Sequence, residues 1–169
     1  MTVGQGRLTA AESRCEVFLY AVMAAPMFLS AAPASLSPEL LALVTNPEVL
    51  AVNQDSDGTM ASLVASSRVA ARGAGVDVWV KPMNDSSFVF VMLNRDAGAA
   101  HLATAVFADG GDGGGTDLFP AGAGGGTTAS VRDLSARKNL GAFSKSWSVT
   151  LQPHDAVMVR VTPQAAAKE

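Results

Sequence analysis

The sequence is poor in the residues that build metal centres and disulfide-rich scaffolds. Among its 169 residues there are one cysteine, Cys15, and two histidines, His101 and His154. A lone cysteine excludes an internal disulfide, and the two histidines are too far apart in sequence for a metal-ligand motif. The residues therefore indicate no metal site and no cofactor. Isolated histidines of this kind are usually surface or hydrogen-bonded core residues.

Basic residues are also few. The chain has 12 Lys and Arg against 15 Asp and Glu, a formal net charge of −3, and its basic residues are scattered. A nucleic-acid partner is excluded on this ground, because a phosphate-binding surface needs clustered Lys and Arg. Hydrophobic residues make up 49%, enough for a packed core. The length fits one domain, or one small domain and a fragment of another.

One uncharged stretch, residues 17–38, has the length of a membrane span and the small residues of a signal peptide. Pro26 and Pro33 interrupt it, and a proline costs about 3 kcal/mol inside a helix. No basic run precedes it, since Glu12 and Glu16 flank Arg14. We therefore expect a buried helix, a break and a buried strand, with no membrane partner. A membrane-anchored module is the last-ranked alternative.

The pattern in the first third of the chain predicts helices combined with a strand, as in an α/β fold. Thr9 and Glu12 form a capping-box pattern that predicts a helix start, and Pro26 ends the helix. Residues 27–29 are apolar and predict a strand buried on both faces, as in a parallel sheet. Two further helix starts follow at Ser37-Pro38 and Asn46-Pro47. The apolar face predicted for the first helix consists of Cys15, Phe18, Leu19, Val22 and Met23.

After Asp57-Gly58 the pattern changes to short strands separated by turn residues, which predicts an antiparallel sandwich. Asn84-Asp85-Ser86 is a predicted hairpin turn. The glycine-rich residues 110–126 predict a mobile loop and residues 164–169 a frayed tail. The predicted strands are residues 60–69, 76–83, 88–94, 102–107, 127–134, 147–151 and 156–162.

Six phrases follow one another along the chain. The first is the helix and extended stretch of residues 8–31, and the second is SPELLALVTNPEVLAVNQD at residues 37–55. Four more follow in order: VDVWVKPM at 76–83, VMLNRD at 91–96, VRDL…KNLGAFS at 131–144 and PHDAVMVRVTP at 153–163. The series runs through nearly the whole chain and resembles the α-galactosidases of glycoside hydrolase family 27. Residues 8–31 are similar to that family's helix and last barrel strand, with Tyr20 where a tryptophan is usual.

The resemblance implies an α+β protein by content. Residues 1–57 would be the terminal helix–strand–helix unit of a (β/α)8 catalytic barrel, residues 58–163 an all-β antiparallel sandwich domain, and residues 164–169 a disordered tail. A complete barrel takes about 250 residues, so most barrel strands would be absent from this chain. The family is typically secreted, vacuolar or lysosomal, while the residues themselves leave the compartment open.

The resemblance also implies a retaining glycosidase that acts on α-galactosides. Its two catalytic aspartates match no position in this sequence and are expected upstream of Met1, so we expect the chain alone to be inactive. MTVGQG (residues 1–6) resembles the end of a substrate-lining motif. Met1 is then either a pocket-lining, substrate-binding methionine or an initiator one place off. Ala31-Ala32 stand where the family usually has Asn-Asp, at the catalytic end of the last barrel strand.

The chain's own polar and aromatic residues have ordinary interpretations. Asp55 and Asp57 are expected to cap a helix end and form a turn, and His154 to belong to a turn. Trp79 and Trp147 are expected in the core more readily than stacked on sugars. The remaining candidate acids are expected to be solvated at strand ends or turns; they are Asp77, Asp85, Asp96 and Asp133.

Three functional hypotheses remain open. The first is the α-galactosidase family, with self-association or the missing barrel portion as a partner. The second is a non-catalytic β-sandwich module that binds carbohydrate or protein. The third is a fragment of an α-N-acetylgalactosaminidase, because the residues that discriminate galactose from N-acetylgalactosamine are expected upstream.

Overall fold

The computed structural model describes residues 1–6, 8–66, 75–106 and 128–164, in which a helical unit precedes an antiparallel β-sandwich. The predicted fold class is confirmed. The helices are α1 (Ala10–Val22), α2 (Pro38–Val44) and α3 (Pro47–Asn53), with a short 3-10 helix at Pro33–Ser35. The strands are β1 (Ser62–Ser66), β2 (Val76–Pro82), β3 (Phe88–Asn94), β4 (His101–Val106), β5 (Thr128–Asp133), β6 (Lys138–Ser144), β7 (Ser146–Leu151) and β8 (Ala156–Pro163).

All three predicted helix starts are confirmed by their caps. At α1 the Glu12 amide donates to Thr9 Oγ1 over 3.2 Å, and the Thr9 amide donates to Glu12 Oε2 over 2.8 Å. Ser37 Oγ caps α2. Asn46 Oδ1 caps α3 and accepts from the Glu48 amide over 2.9 Å. These bonds satisfy backbone donors that the first helical turn leaves without a partner.

The predicted apolar face of α1 is only partly right. Phe18 and Val22 are fully buried as expected, whereas Cys15, Leu19 and Met23 are half-buried. The helix packs on α2, α3, β3 and β8. These neighbours cover more of its surface than the single apolar face that the pattern predicted. The buried residues that the pattern missed are Ser13, Val17 and Ala21.

The strand predicted at residues 27–29, buried on both faces, is wrong in both respects. The segment is extended but belongs to none of the assigned strands, and Phe28 is 78% exposed. A strand is buried on both faces only when layers cover both sides of its sheet. Within the described part of the chain nothing covers Phe28.

The sandwich consists of a six-stranded sheet with the order β1-β2-β3-β8-β5-β6 and a two-stranded sheet of β4 and β7, all antiparallel. Two cores lie on opposite faces of the large sheet. On β3, Phe90 and Met92 belong to the core that faces β4 and β7. Val89 and Val91 belong to the core that faces the helices. The large sheet is therefore the middle layer of the molecule.

Most predicted strands are found close to their expected bounds, and the hairpin turn at residues 84–86 is confirmed between β2 and β3. Strand β6 was missed. Its Lys138, Asn139 and Gly141 have low strand propensity, and it forms an exposed edge of the large sheet. The predicted glycine-rich loop, residues 67–69 and 107 of the predicted strands, and residues 165–169 lie outside the described residues.

Polar contacts join the helical unit to the sandwich. Lys81 on β2 is fully buried, and its ammonium donates to the Thr59 carbonyl in the connection between α3 and β1. Burial lowers the pKa of Lys81, and the nearby carboxylates of Asp55 and Asp57 act in the opposite direction. A buried ammonium is unfavourable unless it has a hydrogen-bond partner. The bond to Thr59 supplies this partner and fixes the connection to the sheet.

Asn94, at the end of β3, joins both sheets. Its buried side-chain amide donates to the carbonyls of Ala99, Leu151 and Gln152 over 2.9, 3.2 and 3.0 Å. Its Oδ1 accepts from the Asp96 amide over 2.9 Å. One side chain thus satisfies backbone groups before β4 and at the end of β7, of which the Leu151 carbonyl would otherwise be buried without a partner.

We predict that Asn94→Ala destabilises the chain by about 2–4 kcal/mol, because one buried and two partly buried carbonyls lose their donor at once. Urea unfolding followed by circular dichroism measures the effect. The matched control is Asn139→Ala, an exposed asparagine that accepts one bond from Arg132. An Asn94→Ala variant no less stable than this control would contradict the role assigned to Asn94.

Candidate functional site

Met1, the one candidate substrate-binding residue from the sequence, lies beside the extended segment 27–30 in the structure. The Met1 amino group donates to the Phe28 carbonyl over 2.6 Å, and the Ser30 amide donates to the Met1 carbonyl over 3.1 Å. Two bonds from one residue to both neighbours of Leu29 are the pattern of a parallel ladder. Met1 and Leu29 thus pair in parallel across two neighbouring extended segments, which are connected through α1.

The loop after Met1 has a fixed conformation. Val3 is fully buried, and the Thr2 amide and hydroxyl both bond the Glu16 carboxylate on α1. Gly4 has φ +70°, and a Cβ there would lie 2.5 Å from Leu36 Cδ2. The backbone conformation therefore favours glycine at this position, and a larger residue would also have to displace the Leu36 side chain.

Few side-chain polar groups gather at the carboxyl ends of these two extended segments. Gln5 Nε2 donates to the Ser30 carbonyl over 2.6 Å. Ala31 is buried at 8% exposure and Ala32 is exposed. The Met1 side chain is half-buried and packs against the helix-facing core. Its contact with a substrate stays a prediction.

The acids that the sequence offered as candidates take part in turns and ion pairs. Asp55 accepts from the amides of Asp57 and Asn84, over 3.2 Å each, and so ties the end of α3 to the β2–β3 hairpin. Asp133 accepts from the Ala136 amide in the β5–β6 turn. Asp77, expected to be solvated, is instead 13% exposed and ion-paired with Arg95 at 2.7 Å. It lies within β2, on the face towards the helices.

The turn between β7 and β8 anchors the start of α1. His154 has φ +55°, and its Nδ1 lies 3.0 Å from Glu12 Oε1. Arg14 and Asp155 form a second contact, with Nε and Oδ1 3.4 Å apart. Hydrogen bonds from Thr9, followed by the bond with His154, lower the pKa of Glu12. His154 is a turn residue as predicted, and its bond to Glu12 is additional.

Cys15 lies at the same contact between α1 and the β7–β8 turn, and its thiol is unreactive. Its thiol donates to the His154 carbonyl over 3.2 Å. Burial, with Asp155 nearby, raises the pKa of this thiol to about 12. Because the thiolate is the reactive form, Cys15 is a structural residue rather than a nucleophile.

His101 and Asp96 form a hydrogen-bonded pair at the start of β4. His101 Nε2 lies 2.9 Å from Asp96 Oδ2, and Asp96 Oδ1 accepts from the amides of Gly98 and Ala99. The bond with His101, followed by these two amides, lowers the pKa of Asp96 to about 2. The Asp96 carbonyl also accepts from the His154 amide over 3.1 Å. Asp96 therefore bonds both histidines, the imidazole of His101 and the backbone amide of His154.

Sequence reasoning did not find the ion pair that fastens α3 to the sandwich. Arg132 on β5 donates to Glu48 through Nε and Nη2 over 2.8 and 2.7 Å, and its Nη1 donates to Asn139 over 2.7 Å. The paired guanidinium lowers the pKa of Glu48. Arg132 lies in a motif that the family resemblance had singled out, but nothing local in the sequence indicates its partner.

The two tryptophans pack as core residues, as expected. Trp79 packs against the helix-facing core and Trp147 against the inter-sheet core. Among the described residues, no group of three or more His, Cys, Asp or Glu could hold a metal ion. In the same part of the chain no helix has both the length and the apolar character needed to cross a membrane.

Comparison with protein families matches both parts of the chain. The family model described as "Alpha galactosidase C-terminal beta sandwich domain" matches residues 73–161, and the one described as "Alpha galactosidase A" matches residues 1–55. The chain is 29% identical over 163 residues to an α-galactosidase of Oryza sativa subsp. japonica, covering 96% of the chain and 34% of that protein. It is 28% identical over 164 residues to one of Coffea arabica, covering 97% of the chain and 39% of that protein.

Solved structures share the fold. α-Galactosidase I from Mortierella vinacea superposes with a TM-score of 0.75 at 21% identity, covering 98% of the chain and 39% of that structure. A β-L-arabinopyranosidase from Geobacillus stearothermophilus gives 0.75 at 21% identity, covering 96% and 32%. The chain therefore spans between a third and two-fifths of the length of these proteins.

The lowered pKa of Asp96 predicts a specific pH dependence. A carboxylate whose pKa is lower in the folded state stabilises that state above its unfolded pKa and loses this effect as pH falls through the folded value. For Asp96 the loss runs from about pH 4 to about pH 2. We expect the urea midpoint of the wild-type chain to fall more steeply over this range than that of Asp96→Asn.

The variant His101→Gln removes the largest cause of the shift and keeps the two amide bonds, so its slope is expected to lie between the other two. Equal slopes for all three proteins would contradict the coupling of Asp96 to His101.

Proposed function

The chain belongs to the α-galactosidase family, and we propose that it is the C-terminal part of that enzyme architecture. In this proposal residues 1–57 are the end of a (β/α)8 catalytic barrel, residues 58–163 are the β-sandwich domain and residues 164–169 are a tail. The supporting observation is the parallel pairing of Met1 with Leu29. Two adjacent parallel strands joined through a helix are the repeating unit of a (β/α) barrel.

The catalytic function proposed for the complete architecture is retaining hydrolysis of terminal α-galactosides. Retaining hydrolysis requires two carboxyl groups about 5–5.5 Å apart, one as nucleophile and one as acid and base. In this chain Asp55, Asp96 and Glu48 are engaged in turns and ion pairs. Ala31 and Ala32 supply no polar group at the strand end. We infer that these 169 residues do not hydrolyse α-galactosides by themselves.

The barrel remnant also implies a partner surface. Phe28 is 78% exposed, and Leu8 and Leu41 are 39% and 38% exposed. Exposed apolar side chains on an extended segment favour association with another polypeptide. We propose that this surface packs against the remaining barrel portion, and that the isolated chain associates with itself in its absence.

We predict no turnover of p-nitrophenyl α-D-galactopyranoside by the purified chain, because the family's two catalytic aspartates match no position of this sequence. Release of nitrophenol is measured, with the α-galactosidase of Coffea arabica as the positive control. Turnover that survives a second purification step would contradict the inference of inactivity, without affecting the family assignment.

We predict that the purified chain elutes from size exclusion above the position of a monomer. Phe28→Ser is expected to shift it towards the monomer, because among the described residues this change removes the most exposed aromatic ring. The control Leu102→Ser removes another large exposed side chain, 67% exposed, from β4 of the small sheet. A monomeric wild-type chain, or an equal shift with both variants, would count against the proposed surface.

A further inference from the structure

A polar groove lies on the helix-facing side of the large sheet. Two adjoining cavities of about 300 and 320 Å³ share Arg132 and Arg160 in their linings. One cavity reaches Glu48 and Ala51 on α3, and the other extends over β5, β6 and β8. Together they are called the arginine groove. Cavities of this size fall at the lower end of the range of small-molecule sites.

Strand register brings the polar side chains of the groove together. Arg132 on β5 is directly opposite Arg160 on β8, and Ser130 is opposite Thr162. The residues between them, Val131 and Val161, belong to the inter-sheet core on the other face. Because side chains alternate along a strand, both arginines and both hydroxyls lie on one face.

Like charges placed directly opposite on neighbouring strands are destabilising unless they are compensated. Arg132 is compensated, since it donates twice to Glu48 and once to Asn139. Arg160 has one contact, from Nη1 to Asp85 Oδ2 over 2.9 Å, and Asp85 is half-exposed. In the described part of the chain Arg160 Nε is buried without a hydrogen-bond partner. Arg160 is thus the less satisfied guanidinium of the pair.

Neutral hydrogen-bonding groups flank Arg160. The groove is also lined by Ser130, Thr162, Asn139 and Gln164. Gly141, with φ +120°, contributes no side chain to its wall. A guanidinium is suited to a carboxylate, with which it forms charge-assisted bonds. Hydroxyl and amide side chains supply the donors and acceptors that a polyhydroxylated ring requires.

We propose that the arginine groove binds a sugar acid, with the carboxylate on Arg160 and the ring hydroxyls on the side chains of β5, β6 and β8. The ligand class follows from the juxtaposition of one incompletely paired guanidinium with several neutral hydrogen-bonding groups. The groove lies between α3 and the sandwich and shares no lining residue with Met1 or segment 27–32, so this proposal is independent of the proposed catalytic site.

Binding of D-galacturonate to the surface-immobilised full chain tests the proposal. D-Galactose, which lacks the carboxylate, and acetate, which lacks the ring, are the comparison ligands. We expect D-galacturonate to bind more tightly than either. Arg160→Met is expected to weaken D-galacturonate binding at least about tenfold, as the loss of a charge-assisted contact implies. Arg160→Lys is expected to restore only part of the binding, because it keeps the charge without the planar fork.

The matched control is Arg14→Met, another half-buried arginine paired with an aspartate, which lies outside the groove. It is expected to leave binding unchanged. Thr162→Val removes an exposed groove hydroxyl without touching the ion pairs and is expected to weaken D-galacturonate more than acetate. No binding of D-galacturonate, equal binding of acetate, or binding that persists in a folded Arg160→Met variant would overturn the proposal.

Discussion

The six-stranded sheet packs apolar side chains into a core on each of its faces, and the rest of the structure depends on covering both cores. Along β3 the side chains alternate between two cores, with Phe90 facing the small sheet and Val91 facing the helices. An antiparallel sheet commonly leaves one face to solvent, but here the second face requires the helical unit. Residues 1–57 therefore share a hydrophobic core with the sandwich and pack against it as one structure. The Glu12–His154 hydrogen bond and the Glu48–Arg132 ion pair both join the helical unit to the sandwich and fix its alignment.

Local features of the fold could be predicted from the sequence, whereas pairings between distant residues could not. The capping box at Thr9 and the strand Phe88–Asn94 depend on residues within a few positions of one another, and both were found as expected. Strand β6 escaped because its residues have weak strand propensity and it is held in place by β5. Phe28 was expected inside because its sequence is apolar. Its exposure depends on what lies across from it, which composition does not encode.

The same limit applies to the candidate site. The family phrases pointed to Arg132 and His154 as parts of motifs, yet their partners Glu48 and Glu12 are 84 and 142 positions away. The aspartates that the sequence analysis expected to be solvated differ in their exposure. Asp85 is half-exposed, and Asp77 is mostly buried in an ion pair. Only the three-dimensional register of β2, β3 and β8 distinguishes them. The Met1–Leu29 pairing likewise emerges from two backbone bonds that no side-chain pattern records.

The carboxylate of Glu12 serves two contacts at once, because one oxygen closes the cap of α1 and the other bonds His154. The first turn of α1 therefore cannot fray without also releasing the β7–β8 turn, 142 positions away. Local opening of a helix end is ordinarily among the least costly motions of a protein. Here it is coupled to loss of the Glu12–His154 contact, so solvent exchange of the Thr9 and Glu12 amides, which the capping box protects, reports on that contact as well as on the helix.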